Sequence, residues 1–141
     1  MASIKFIGPV FLADGKSGDN GILDEITDKK SLKEFDGFSY DGVDNLFSTW
    51  IADHDDPLLN EVAFSGGLMS FEYLENSDSL TGIIEYTTDK DLSNEQVAAL
   101  KDYTIGQLLD GIGSNFEQER LCKGGHCPMI NAEEIEVAKL S

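Results

Sequence analysis

The segment LSNEQVAALKDYTIGQLLDGIGSNFEQER, residues 92–120, is the part of the chain from which the architecture can be read. Ser93 followed by Gln96 has the form of a capping box, and Glu95 adds a carboxylate to the dipole-favoured first turn. The spacing predicts a helix over Asn94 to Leu109. On a wheel of about 100° per residue, Val97, Leu100, Ile105 and Leu108 share one side with Ala98, Thr104 and Leu109. Glu95, Asp102 and Tyr103 take the other. Gly111 and Gly113 then end the helix and permit positive φ, so the chain turns back sharply, with Phe116 expected to anchor the return. Lys101 falls inside the apolar arc, which leaves two readings: its stem snorkels past the rim of the core, which we prefer, or its ammonium is buried against Glu117 or Asp110.

Upstream of this helix the pattern is that of strands. Val62 to Phe64, Leu68 to Leu74 and Leu80 to Thr88 are apolar runs separated by Ser65-Gly66-Gly67 and Glu75-Asn76-Ser77-Asp78, both natural reversals. An antiparallel meander is expected. Ile84, Tyr86 and Thr88 alternate with Ile83, Glu85 and Thr87, which predicts one covered face and one partly wet face.

Nearer the N-terminus, Ile4 to Leu12 reads as a strand interrupted by Gly8-Pro9. Proline cannot donate to a ladder, so the strand is expected at a sheet edge or bulged there. Asp14 to Gly21 is loop by composition. A calcium loop starting at Asp14 and closing on Glu25 fails, because Lys16 and Gly18 occupy ligand positions and Asp19 stands where glycine is required. Asp36-Gly37-Phe38 and Asp41-Gly42-Val43 read as successive turns. Asp44 is expected to cap a short helix carrying Leu46, Phe47, Trp50 and Ile51, which ends at Asp53-His54-Asp55-Asp56-Pro57. That acidic run is preferred as a solvated loop over a divalent-metal site.

Leu92, Leu100-Lys101-Asp102, Gly106-Gln107, Asp110-Gly111, Gly113 and Phe116-Glu117-Gln118 together form a pattern. It resembles a set of small uncharacterised proteins from bacterial mobile elements and phages, in which Leu-Lys-Asp is followed by Gly-Gln, Ser-Asp-Gly-Trp-Gly and Phe-Glu-Gln. The chain departs from it at Leu109, Ile112 and Ser114-Asn115. The resemblance implies a strand-helix-turn-strand unit with Gln107, Asp110, Glu117 and Gln118 grouped at one end, and it implies no activity. Lys101, Gln107, Asp110 and Glu117 are the candidate binding residues. The competing reading has these groups bonded to the backbone of their own turn, and it is preferred.

Downstream, Cys122-Lys123-Gly124-Gly125-His126-Cys127-Pro128 holds both cysteines of the chain. Cys122, His126 and Cys127 could supply three zinc ligands, but the spacing is not that of a common zinc knuckle and no second pair exists. A plain loop with redox-sensitive thiols is preferred, no cofactor is required, and zinc at this segment is kept open. A nucleophile-and-base reading lacks an oxyanion donor and a third orienting group. Glu134 to Leu140 alternates as a closing strand.

Composition bounds the rest. With 141 residues, 40% of them hydrophobic, the chain is expected to form a single α+β domain over 1–141. Its sheet is antiparallel, of about five strands, packed by the main helix and the shorter helix at Trp50. The 27 Asp and Glu against 10 Lys and Arg give a formal charge of −17, which disfavours nucleic acid and anionic membranes as direct partners. No secretory n-region or long apolar run is present, so a cytoplasmic protein is expected. Three function classes remain. The first is a non-enzymatic accessory, inhibitor or immunity-type factor that binds a basic protein. The second is a metal protein, with zinc at the cysteine segment or an enzyme using acids near His54. The third is a homo-oligomer that covers the edge at Gly8-Pro9 or the cysteine loop.

Overall fold

A computed structural model describes residues 2–14, 25–26, 29–54, 56–108 and 126–140. The strands are β1 (Ala2–Asp14), β2 (Glu25–Ile26), β3 (Ser39–Tyr40), β4 (Phe64–Leu74), β5 (Ser79–Thr88), β6 (His126–Ile130) and β7 (Glu136–Leu140). The helices are α1 (Lys29–Lys33), α2 (Val43–His54) and α3 (Asn94–Tyr103), the last continuing as a π-helix over Thr104–Leu108. A 3-10 turn at Ala132–Glu134 joins β6 to β7. The seven strands form one antiparallel sheet in the order β2-β1-β5-β4-β3, with β6 and β7 on the other flank of β1. Because β2 and β3 have only two residues each, five strands carry the sheet, and the α+β architecture is as expected.

β1 is central, contrary to the edge expected from Pro9. It pairs with β5 from Ala2 to Val10, with β7 from Ser3 to Ile7 and with β6 from Val10 to Asp14. The ladder tolerates Pro9 because the second flank is interrupted there. In an antiparallel strand the N–H and C=O of one residue face the same neighbour. The Pro9 carbonyl accepts from the Asn131 N–H at 2.8 Å, so the Pro9 nitrogen also faces the β6–β7 connector, where no donor is needed. One position earlier in β1, Gly8 pairs with Gly82. These two glycines leave a bare floor over which Ile130 and Ile135 close, and both isoleucines are buried.

Alternation assigns one face of the sheet to the core. Ile4, Phe6, Val10 and Leu12 of β1, Leu80, Ile84, Tyr86 and Thr88 of β5, and Met69, Phe71 and Tyr73 of β4 are all buried. β4 is longer than expected, since Ser65-Gly66-Gly67 lies within it and makes no reversal. Phe64 pairs with Thr88 and Gly66 with Thr87, so Ser65 is the extra residue of a bulge. The bulge changes the parity of the strand and lets Phe64 share the core face with Met69. Gly67 then lies directly beneath α2, where a Cβ would stand 2.9 Å from Val43 Cγ1 and 3.1 Å from the Asp44 nitrogen. α2 begins at Val43, so Asp44 is in its first turn and does not cap it. The expected reversal at 75–78 is present, with Asp78 left-handed at φ 50°.

The outer edge of β4 is closed by the segment preceding α2. Gly37, at φ 79°, turns the chain so that its N–H reaches the Phe71 carbonyl at 2.9 Å, while Asp36 Oδ1 accepts from the Tyr73 N–H at 3.0 Å. Above the core face, α3 has the capping box read from sequence: Gln96 N–H donates to Ser93 Oγ at 3.1 Å and Ser93 N–H to Gln96 Oε1 at 2.8 Å. Gln96 Nε2 also donates to the Leu58 carbonyl at 3.1 Å, which is why this polar side chain is buried. Tyr103, assigned to the wet side of the wheel, is buried as well. It packs edge-on against Phe47 at 5.1 Å, and Phe47 in turn touches Phe64 and Tyr86.

Two outcomes are expected. Gly82→Ala puts a methyl group into the Ile130 side chain and 3.0 Å from Val10 Cγ2. Urea denaturation should show a loss of about 1–3 kcal/mol, whereas Gly66→Ala, whose nearest neighbour would be 3.9 Å away, should cost clearly less. The second concerns pH. Burial pushes the Tyr86 phenol far above its ordinary value, the Thr104 hydrogen bond offsets this in part, and Tyr103 adds to the rise. Tyr103 is raised by its own burial and then by Tyr40. Both phenols stay protonated in the folded chain after the unfolded chain has lost these protons. Their contribution is therefore complete below about pH 10 and is lost as pH rises above it. Urea midpoints followed upward from neutral pH should fall beyond that point, and less steeply in Tyr86→Phe.

Candidate functional site

The residues singled out in the sequence are only partly within the described structure. Lys101 is half-buried in α3 and Gln107 is exposed in the π-helix, and neither side chain bonds to another described residue. Asp110 and Glu117 lie outside the described residues, as do Gly111, Gly113, Phe116 and Gln118. The helix predicted to Leu109 changes character at Thr104. The Thr104 N–H is shared between the Leu100 and Lys101 carbonyls, a three-centre bond at the residue where the α-helix gives way to the π-helix. The Thr104 hydroxyl lies 2.8 Å from the Leu100 carbonyl and 2.9 Å from the Tyr86 hydroxyl, all within the core. This buried polar link ties the helix to β5.

The two metal readings meet different neighbourhoods. Cys122 is outside the described residues, and His126 and Cys127 are the first two positions of β6, paired with Asp14 and Ala13. The loop expected across this segment therefore gives way to a strand at His126. Near α2, the His54 ring stacks on Trp50 at 4.7 Å, with Nδ1 2.9 Å from the Trp50 carbonyl. Asp56 Oδ1 accepts from the Leu58 and Leu59 N–H groups. His54 thus finishes a helix and Asp56 closes a turn, while Asp55 lies outside the described residues. Among the described residues, no three of His, Cys, Asp and Glu are placed to hold a metal ion. A small cavity of about 160 Å³ beside α2 is lined mainly by apolar groups, including Phe47, Ile51, Val62 and Phe64.

The surface with the most unassigned chemistry is the second face of the sheet. Among the described residues no helix packs on it. Its cross-strand rows follow from the register: Ser70, Ile83, Ile7 and Glu136 form one, and Leu68, Glu85 and Lys5 the next. Ile7 and Ile83 are half-buried at its centre, and Leu68 and Leu74 are each 39% exposed toward one side. Glu72 and Glu136 are exposed and Glu85 is half-buried. Where β6 and β7 part around Pro9, the same face opens into a cleft of about 660 Å³. Ile7, Pro9 and Thr81 line it on one side, and Glu133, Glu134 and Glu136 on the other. The arrangement offers an apolar strip bordered by carboxylates, suited to holding a cationic, partly apolar surface.

These residues were not singled out from the sequence. The alternation of Ile83, Glu85 and Thr87 already predicted a wet face, but Glu133, Glu134 and Glu136 reach Ile7 and Thr81 only through the β1–β7 register. No protein family, curated protein or solved structure matches the chain. No helix among the described residues is long and apolar enough to cross a membrane.

The Tyr86–Thr104 link can be tested by a double-mutant cycle. Thr104→Val leaves the buried Tyr86 hydroxyl without its partner and should cost about 1–3 kcal/mol in denaturant melts. Adding Tyr86→Phe should then cost less than the two single changes combined.

Proposed function

We propose that the chain is a non-enzymatic, acidic protein-binding factor of the accessory, inhibitor or immunity type, acting in the cytoplasm on a basic protein. The observation that carries this reading is the second face of the sheet, where an apolar centre is bordered by Glu72, Glu85, Glu133, Glu134 and Glu136 against Lys5. The formal charge of −17 acts in the same direction: it speeds encounter with a positive surface and repels nucleic acid and anionic lipid. The likeness of Leu92 to Gln118 to mobile-element proteins belongs to the same proposal. A small chain of this charge, carried by such an element, works on a protein that handles nucleic acid and not on the nucleic acid itself. The reading requires no cofactor.

Affinity capture from the source cell, followed by titration of the purified partner, tests this. A partner with a basic contact surface is expected, with affinity falling at least about tenfold as salt is raised from low to a few hundred millimolar. Binding that ignores salt would count decisively against it.

A further inference from the structure

This inference rests on the reading of the chain as a binder of basic proteins, and it names the surface and the shape of what is bound. We infer that the second face of the sheet, on which no helix packs among the described residues, docks a basic amphipathic helix, its apolar stripe on Ile7 and Ile83 and its cationic flanks on the surrounding carboxylates.

The argument begins with the backbone. β1 and β5 have neighbours on both sides, so the Ile7–Ile83 centre of this face offers no free ladder groups to an incoming strand. A partner must lie flat on side chains, and a helix does this with one apolar stripe, as α2 and α3 do on the opposite face. The stripe has a counterpart: Ile83 and Ile7 are directly opposed across the ladder, with Leu68 on the neighbouring row. Leaving such side chains half-exposed forgoes part of the roughly 1.5–3 kcal/mol that full burial of each would contribute.

Charge selects the occupant. Around the apolar strip stand five carboxylates, Glu72, Glu85, Glu133, Glu134 and Glu136, and one ammonium, Lys5. A second copy docked face to face would bring like charge onto like charge, so the face is unsuited to self-association. A lysine- or arginine-flanked helix reverses the sign of the contacts with the five carboxylates, and Lys5 alone opposes it. The cleft at the β6–β7 break suits one of its long side chains, since an aliphatic stem can lie over Ile7 and Pro9 while its cation meets Glu133, Glu134 and Glu136.

Two synthetic peptides serve as probes. One is of about 18 residues, or five helical turns, with leucines on one helical face and lysines on the other. The second is an isomer of identical composition with that segregation scrambled. Calorimetry on the full chain should show the amphipathic peptide binding at least tenfold more tightly. Its amide NMR shifts should concentrate in β1, β4 and β5. Ile83→Asp should remove most of the difference. Glu72→Gln with Glu85→Gln, changes that leave the core untouched, should weaken the amphipathic peptide several-fold, while Glu95→Gln with Asp102→Gln on α3 should not. Equal binding of the isomers, shifts mapping to α2 and α3, or no binding of either peptide would overturn the inference, as would a dimer in light scattering that Ile83→Asp dissolves. Equal binding leaves the broader reading intact, because charge alone then suffices. That reading falls separately, if partner capture proves insensitive to salt.

Discussion

One missing hydrogen-bond donor organises this sheet. Pro9 lies in the middle of the central strand, and its nitrogen cannot take part in a ladder. β5 is unaffected, because at this position the ladder to β5 needs no bond from Pro9. On the other side, a continuous partner would have met a position with no donor. The chain instead supplies two short strands and a connector, whose Asn131 N–H uses the Pro9 carbonyl. The break has consequences on both faces. On the core face the connector folds Ile130 and Ile135 over the bare Gly8–Gly82 floor, so these glycines and isoleucines form a single packing unit. On the opposite face the same break opens the cleft lined by Glu133, Glu134 and Glu136.

The two faces of the sheet obey different physics. The core face is built on aromatic contacts, with Phe47 in contact with Trp50, Phe64, Tyr86 and Tyr103, and its few polar groups are matched: Tyr86 with Thr104, Gln96 with Ser93 and Leu58. One buried side-chain atom among the described residues lacks a partner, Trp50 Nε1. The second face carries no helix and no salt bridge among the described residues, and Ile7 and Ile83 are only half-buried on it. Water solvates the exposed carboxylates of this surface, so what it leaves unburied is the apolar part, Ile7, Ile83, Leu68 and Leu74.

How far the sequence revealed this depended on whether the deciding interaction was local. The capping box needs only Ser93, Gln96 and the backbone between them, and the reversal at 75–78 needs only four residues, so both were legible. The alternation of β5 was legible for the same reason. Ser65-Gly66-Gly67 was not, because glycine signals a turn locally, while here Gly67 makes room for α2 and Ser65 is a bulge. Pro9 was read with the right rule and the wrong outcome: the lack of a donor was met by splitting the neighbouring strand, which only distant residues can reveal. Gln96 and Tyr103 look polar by residue type, yet a bond to the Leu58 carbonyl and an aromatic cluster bury them. Of the candidate site, Lys101 and Gln107 have no side-chain partner among the described residues, and the acidic cleft required a register that no local pattern encodes.

The carboxylates around the second face also bear on self-association. A partly apolar sheet surface is an invitation to self-association, and β7 presents a strand with no described neighbour on its outer side. Glu136 stands on that strand, and Glu133 and Glu134 immediately precede it. Two copies approaching by this edge or this face would bring these side chains together at the cost of desolvating like charges. Such repulsion is cheap while the surface is in water, because each carboxylate is exposed and screened. It therefore acts mainly at the moment of a wrong encounter. A surface of opposite charge meets no such barrier, so the same distribution of charge discriminates between the two kinds of encounter. The break imposed by Pro9 is what sets three of those carboxylates beside Ile7 and Thr81.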